Sequence, residues 1–355
     1  MSVQISGYEA NGGGGGGGSG AWGGEFTTSL VYSELPAGIL KIILSNPLTA
    51  SATQTWVGEW QPDAPRTDWP SSPTDAAYPV CVTASSFENL SPFPAGLAGR
   101  ALLTELNPEF NIVVVNMDGS QRQVLVPQGG RGSLSLDGSR MAYPGTDGIT
   151  ILNISSGESS LLQGASGYDL HWSPDGQQIA YVNKGDAYGI FVTSTDGSSQ
   201  RQLSTLGYES IAGWSPDGKQ LYYAIPDSSG EGWLLKSVEV EAGAARDLFV
   251  LKYSSRKAPF PAVSPDGNWI AYRGGDNGSL YMMRMDGTQR RLLIEKPSLA
   301  YAISGIAWGP GGDLLGVSML TPDAPDGSVI LMKWETCETY ILPSLHGELD
   351  GLLIP

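Results

Sequence analysis

An all-β fold, a six-bladed β-propeller closed by its own C-terminal strand, is predicted by two recurring phrases and by the difference in how often each occurs. The first phrase is Trp172-Ser173-Pro174-Asp175-Gly176 running into Ile179-Ala180-Tyr181. It returns as Trp214-Ser215-Pro216-Asp217-Gly218 and Val263-Ser264-Pro265-Asp266-Gly267, with looser copies at Leu134-Ser135-Leu136-Asp137-Gly138 and Trp308-Gly309-Pro310-Gly311-Gly312. Positions 137, 175, 217, 266 and 311 lie 38, 42, 49 and 45 residues apart, the length of a propeller blade. The second phrase, Asp-Gly-Ser or a variant, begins near 117, 155, 195, 241 and 285, with a degenerate copy at 335–342.

Both phrases are turns with a mechanism. Pro presets φ, Asp bonds its own backbone two residues on, and Gly accepts φ > 0, so Ser-Pro-Asp-Gly joins strand A to strand B of a blade. Asp-Gly does the same between strands C and D. A metal-ligating role for Asp137, Asp175, Asp217 and Asp266 is the alternative, but a residue repeated at the turn of nearly every blade is what the fold itself requires. Trp172, Trp214 and Trp308 precede these turns and are expected to fill the gaps between blades, with carbohydrate stacking as the other reading.

Taken in order, residues 1–24 carry the unbroken run Gly12 to Gly18 and read as a flexible tether, since polyglycine has no side chains to bury and loses the most backbone entropy on ordering. Residues 25–97 read as a small β-rich element with candidate strands at 26–34, 39–45, 54–60 and 78–83, and a Pro-rich loop at 61–73. An unmarked extra blade is the alternative there. The propeller spans 98–355. Its first blade shows strand B (101–106), strand C (111–117) and strand D (123–126) but no strand A, which explains six copies of the second phrase against five of the first. The otherwise unclaimed segment 347–354 is predicted to supply the missing strand and close the ring, removing the exposed edges of an open sheet.

Composition agrees with many short strands: 48 Gly and 24 Pro among 355 residues, with only 16% charged. The 20 basic and 36 acidic residues leave a net charge of -16, which argues against a nucleic-acid partner that would need clustered Lys and Arg. No apolar run reaches 18 residues, so no transmembrane helix is expected. The N-terminus lacks the basic and apolar regions of a secretory leader, yet the Gly, Ser, Thr and Asn richness resembles an envelope or secreted domain whose leader has been lost or replaced. A cell-envelope or secreted location is expected, with cytoplasm as the alternative. The two cysteines, Cys81 and Cys337, either pair in an oxidising compartment or remain separate packed thiols.

The phrase Trp-Ser-Pro-Asp-Gly-x-x-Ile-Ala-Tyr, followed by Asp-Gly-Ser-x-x-Arg-x-Leu, resembles the WD-like Pro-Asp repeat of TolB-type propellers over residues 98–355. The resemblance implies a six-bladed propeller, frequently a protein-binding scaffold of the bacterial envelope.

Catalytic signatures are sparse. His171 and His346 are the chain's two histidines, too few for the clustered ligands of a metal-dependent hydrolase or lyase. No Gly-x-Ser-x-Gly elbow, phosphate-cradling loop or zinc spacing occurs in the sequence. His171 falls in a strand that lines the channel, where a packed or solvated imidazole competes with a ligand-facing one. Topology then locates the variable surface. In an antiparallel blade the A–B and C–D turns share one face, while the B–C loops and D-to-A connections share the other. The B–C loops contribute Glu109, Asp147, Asp186, Asp227 with Glu231, Asp276, and Asp323 with Asp326; the connections contribute Tyr168, Tyr208, Tyr253 and Tyr301. Arg256 and Lys257 also lie in a connection. This acidic, tyrosine-rich face is expected to bind a protein or peptide, basic or mixed, with no resident cofactor and with calcium as a candidate bridge. The competing reading is a carbohydrate-binding or lyase-like propeller that uses the channel mouth with His171 and nearby tyrosines.

Overall fold

The computed structural model describes residues 2–7, 26–31, 38–45 and 53–60, and from residue 80 onward all but 87–88, 93–97, 107–108, 184–186, 207, 231, 254–257, 276–277, 297, 299, 323, 325–326, 343–344 and 354–355. The chain divides into two compact units, residues 1–69 and 70–355. In the first, Ser2–Gly7 pairs antiparallel with Phe26–Val31, and Gly38–Ser45 with Thr53–Trp60. Three of these strands match the sequence expectation. Ser2–Gly7 does not, because it falls in the segment read as tether: Val3 and Ile5 alternate with polar residues, and that period-2 pattern finds a partner in Phe26–Val31. The run Gly12 to Gly18 and the Pro-rich loop 61–73 lie outside the described residues.

The second unit is built on six four-stranded antiparallel sheets, and the described residues contain no α-helix. From the innermost strand outward, blade 2 is Ser133–Leu134, Arg140–Pro144, Ile149–Asn153 and Ser159–Leu162, and blade 3 is Gly167–Trp172, Gln178–Asn183, Gly189–Ser194 and Gln200–Gln202. Blade 4 follows as Ser210–Trp214, Gln220–Pro226, Gly232–Glu239 and Ala245–Lys252, and blade 5 as Ala262–Val263, Trp269–Gly274, Ser279–Arg284 and Arg291–Ile294. Blade 6 comprises Ala302–Trp308, Leu314–Leu320, Ser328–Lys333 and Glu338–Leu342. Blade 1 is completed from the far end of the chain: Glu348–Leu353 pairs with Arg100–Thr104, which continues to Ile112–Asn116 and Gln123–Val126. The innermost strands touch their neighbours around the whole circle, so the ring is closed as predicted.

The first repeated phrase explains the shape of each blade. Ser135, Ser173 and Ser215 each donate Oγ–H to Oδ1 of the Asp two residues on at 2.6 Å, and the same Asp oxygen accepts the backbone N–H at the following turn position. Those serine bonds hold Asp137, Asp175 and Asp217 below the usual carboxylate range. Their oxygens are occupied by the turn, in keeping with a structural role. The tryptophans join blade to blade. Trp172 Nε1 donates to the Ser133 carbonyl at 2.9 Å, Trp214 to His171 at 3.0 Å, and Trp308 to Ala262 at 2.8 Å. Each indole thus reaches the innermost strand of the preceding blade, a bond worth about 1 kcal/mol beyond the burial of the ring.

Residues 80–92, which the sequence reading assigned to the N-terminal element, pack on the outer edges of blades 5 and 6. Val82 is fully buried and exchanges backbone bonds with Leu293 and Glu295, while Ser91–Pro92 adds a parallel strand outside Glu338–Leu342. Pairing occurs because the outermost strands leave unpaired N–H and C=O groups. Cys81 is disulfide-bonded to Cys337, which settles the two readings in favour of the pair. Cys337 has φ 60°, in the degenerate copy of the Asp-Gly phrase, at the position where Gly119, Gly197 and Gly287 have φ between 73 and 82°. The turn asks for glycine there, and the cysteine is held in that conformation with its sulfur bonded to the strap.

Candidate binding site

The innermost strands enclose a central channel of about 690 Å³. At the end facing the B–C loops and D-to-A connections, charged groups from four blades come together. Asp350, on the closing strand, has a side chain only 1% exposed. Its carboxylate accepts from Thr104 Oγ1 at 2.5 Å, Arg131 Nε at 3.0 Å and the Gly132 amide at 3.3 Å. Burial raises its pKa, opposed by the Arg131 guanidinium and these hydrogen bonds. Glu348, 3.5 Å from Arg131, is raised for the same reason, burial outweighing the arginine. Arg131 also faces the ring of Phe260 at 5.7 Å.

On blade 3, Asp169 takes a left-handed backbone (φ 55°), unusual for a residue with a side chain. Two contacts hold it: Oδ1 lies 3.2 Å from His171 Nε2, and Oδ2 accepts the Ile211 amide of blade 4 at 2.7 Å. His171 therefore does line the channel, paired with its own strand's aspartate. Next along the wall is Glu209, 5% exposed, whose buried carboxylate oxygens meet no side-chain donor among the described residues. Desolvation pushes its pKa up to about 7, with the Leu206 backbone opposing weakly. Tyr168 and Tyr223 are raised by burial and, secondarily, by neighbouring carboxylates that include Glu209.

The tyrosines chosen from the sequence separate into two kinds. Tyr208 stands 79% exposed in the connection before blade 4, and Tyr168 is 36% exposed at the start of the innermost strand of blade 3. Both line the channel mouth. Tyr253 does not reach solvent: it is 6% exposed and lies under the Arg273 guanidinium, 5.2 Å from its ring, so it packs the blade 4 to blade 5 connection instead of presenting to a partner. Tyr301 is half-buried, and its carbonyl accepts Lys296 Nζ at 2.5 Å. Of the acids, Asp227 caps its B–C loop by accepting the Ser229 amide at 3.2 Å. Asp186, Glu231, Asp276, Asp323 and Asp326 lie outside the described residues. No group of three or more His, Cys, Asp or Glu among the described residues is placed to hold a metal ion.

Sequence reasoning missed Arg131, Asp169, Glu209 and Asp350, which line the channel, and the exposed Tyr188 and Leu206 in the B–C loop of blade 3 and the connection after it, 59% and 47% exposed. A signal was present: Tyr168-Asp169 and Tyr208-Glu209 are a Tyr-acid pair repeated at the entry to consecutive blades. Chemically, Asp350 is already engaged with Thr104, Arg131 and the Gly132 amide, and Asp169 with His171 and the Ile211 amide. The arrangement offers recognition: exposed aromatic and apolar groups around an acidic opening.

No family model matches the chain. The uncharacterized peptidase YuxL of Bacillus subtilis (strain 168) is 30% identical over 140 residues, covering 29% of this chain and 21% of that protein, so the chain spans about a fifth of its relative's length. Among solved structures, TolB of Acinetobacter baumannii superposes with a TM-score of 0.59 at 15% identity, covering 76% of this chain and 69% of that one. A TolB of Agrobacterium tumefaciens, so named putatively, gives 0.54 at 19% identity over 70% and 89%. The chain has the TolB-type propeller fold.

Proposed function

We propose, from a TolB-type propeller with this channel mouth, that the protein is a non-catalytic interaction module that captures a protein or peptide, basic or mixed in charge, on the face of the B–C loops and D-to-A connections. The observation that carries this reading is a set of exposed apolar and aromatic side chains on this face: Tyr168 at the start of blade 3, Tyr188 in its B–C loop, and Leu206 and Tyr208 in the connection to blade 4, with Tyr168 and Tyr208 lining the channel mouth. Large aromatics exposed beside a concave opening mark recognition surfaces, because they bury much area at little conformational cost. The acidic wall and the net charge of -16 favour a basic partner and accelerate its approach. YuxL bears a peptidase name, but within this chain no Gly-x-Ser-x-Gly elbow accompanies the propeller. A cell-envelope or secreted setting is supported by the Cys81–Cys337 disulfide, since such bonds persist in oxidising compartments.

The test uses the full chain as bait in native lysate with two variants. Tyr188→Ser combined with Tyr208→Ser is expected to reduce recovery of a stoichiometric partner at least about tenfold, the loss of roughly 1.4 kcal/mol or more of hot-spot energy. Leu161→Ser, a 42% exposed leucine on the outermost strand of blade 2 and away from the channel lining, is expected to leave recovery unchanged. Equal recovery by all three proteins would contradict the assignment, as would a glycan array in which wild-type protein binds or cleaves an oligosaccharide.

A further inference from the structure

Among the described residues, the channel wall carries one buried carboxylate that no side-chain donor meets. Asp350 receives three hydrogen bonds and Asp169 two, whereas Glu209 meets no side-chain donor among the described residues and is approached only by the Leu206 backbone, although it is 5% exposed and lines the 690 Å³ cavity. A buried acceptor left without a partner costs on the order of 1 to 3 kcal/mol, and more when ionised. A protein retains such a group at low cost only where something else completes it. The cavity's other charges indicate what that is. Among the described residues Arg131 is the one lysine or arginine that lines it, and its guanidinium is committed to Asp350 and Glu348. Among the described residues the lining holds Asp169, Glu209 and Asp350 against that single arginine, with Tyr168, Tyr208 and Phe260 supplying aromatic surface.

We propose that Glu209 is the receptor for a single cationic side-chain group, the ammonium of a lysine or the guanidinium of an arginine, carried by a peptide segment that enters the channel from the variable face. This rests on the protein-binding reading above. The alkyl stem of such a side chain lies along aromatic surface while its charged head meets a desolvated carboxylate, a combination of cation–π and ionic contact that water does not match. A neutral side chain of equal length gains only the apolar part. The cation also shifts the proton equilibrium. Glu209 is half-protonated near pH 7 in the free protein, and a cation binds its carboxylate form, so binding releases a proton and affinity rises as pH rises through 7. The groups that face it do not reverse this sign: Tyr168 and Tyr223 are raised above their ordinary values, Asp169 and His171 are paired with each other, and Arg131 is paired with Asp350.

The experiment is carbon-detected NMR of full-length protein labelled at glutamate carboxyls, with three small probes: Nα-acetyl-lysine methylamide, its arginine counterpart and its norleucine counterpart. The Glu209 carboxyl midpoint, near 7 in the free protein, is expected to fall by about one unit or more at saturating lysine or arginine probe and to stay in place with norleucine. Glu209→Gln is expected to weaken the lysine probe at least tenfold, while Glu241→Gln, an exposed acid in a turn of the opposite face, leaves it unchanged. An unmoved Glu209 midpoint with every probe, a shift equal for lysine and norleucine, or undiminished binding by Glu209→Gln would overturn the proposal. The two readings fail separately. Loss of partner capture in the Tyr188 and Tyr208 variants with an unresponsive Glu209 keeps the protein-binding reading and sinks the cation site. A responsive Glu209 with capture indifferent to those tyrosines does the reverse.

Discussion

Deleting residues 347–355 is expected to abolish the cooperative unfolding transition of the propeller, although it removes only one short strand. Glu348–Leu353 is the innermost strand of blade 1, and Leu349 and Leu352 are 1% and 5% exposed in a core shared with blade 6. Two buried leucines contribute about 3 to 6 kcal/mol. Their loss is joined by that of the ladder to Arg100–Thr104 and of the Asp350 contacts to Thr104 and Arg131. The total is comparable to the whole stability of an ordinary domain. The deletion also leaves Arg100–Thr104 as an open edge, so aggregation should accompany unfolding. A milder variant makes the same point. A Cβ on Gly305 would lie 2.5 Å from the Leu349 carbonyl oxygen, where blade 6 meets the closing strand. Gly305→Ala should therefore cost about 2 to 3 kcal/mol by overpacking. Calorimetry distinguishes the outcomes: a truncated protein that keeps a single sharp transition would show that the ring does not depend on its last strand.

Breaking the Cys81–Cys337 bond should produce the other large effect. The bridge closes a loop of 256 residues, and removing a native disulfide typically costs about 2 to 5 kcal/mol. Cys81→Ser should lie in that range by thermal or denaturant unfolding. The comparison at the other end is more telling. Cys337→Ser leaves a side chain in the left-handed conformation (φ 60°) without the bond that secures it, whereas Cys337→Gly restores the residue that corresponding turns use. The glycine variant should be more stable than the serine variant by about 1 kcal/mol. Equal stability of the two would mean that the turn does not select for glycine at this position.

These contrasts explain what was legible in the sequence. Ser-Pro-Asp-Gly announces itself because each residue answers a local demand: Ser173 and Asp175 bond each other, and Gly176 takes φ 66°. Counting such turns needs no knowledge of tertiary contacts, and the mismatch between the two phrases located the closing strand at the opposite end of the chain. The inter-blade role of Trp172, Trp214 and Trp308 followed from their fixed position before each turn. The site was less legible because it is assembled from residues far apart in the chain. Arg131 and Asp350 are 219 residues apart and meet only when the ring closes. Tyr253 resembles Tyr208 in its place along the repeat, but Arg273, buried beneath the connection, draws it inward. Glu209 has the sequence context of any loop acid, and its burial without a side-chain donor is visible only once the innermost strands surround it. The strap at 80–92 was assigned to the wrong neighbour for a related reason: an unpaired outer strand accepts whatever segment reaches it, and local sequence does not encode that choice.

The account's central claim is that partners are engaged at the channel mouth between blades 3 and 4. Hydroxyl-radical footprinting of the protein, alone and with the partner isolated by wild-type capture, tests it most directly. Tyr168, Tyr188 and Tyr208 should be protected several-fold in the complex, while Leu161 on the outermost strand of blade 2 keeps its reactivity. Protection centred on Leu161 and the Asp-Gly turns, with Tyr208 as reactive as in the free protein, would contradict the claim.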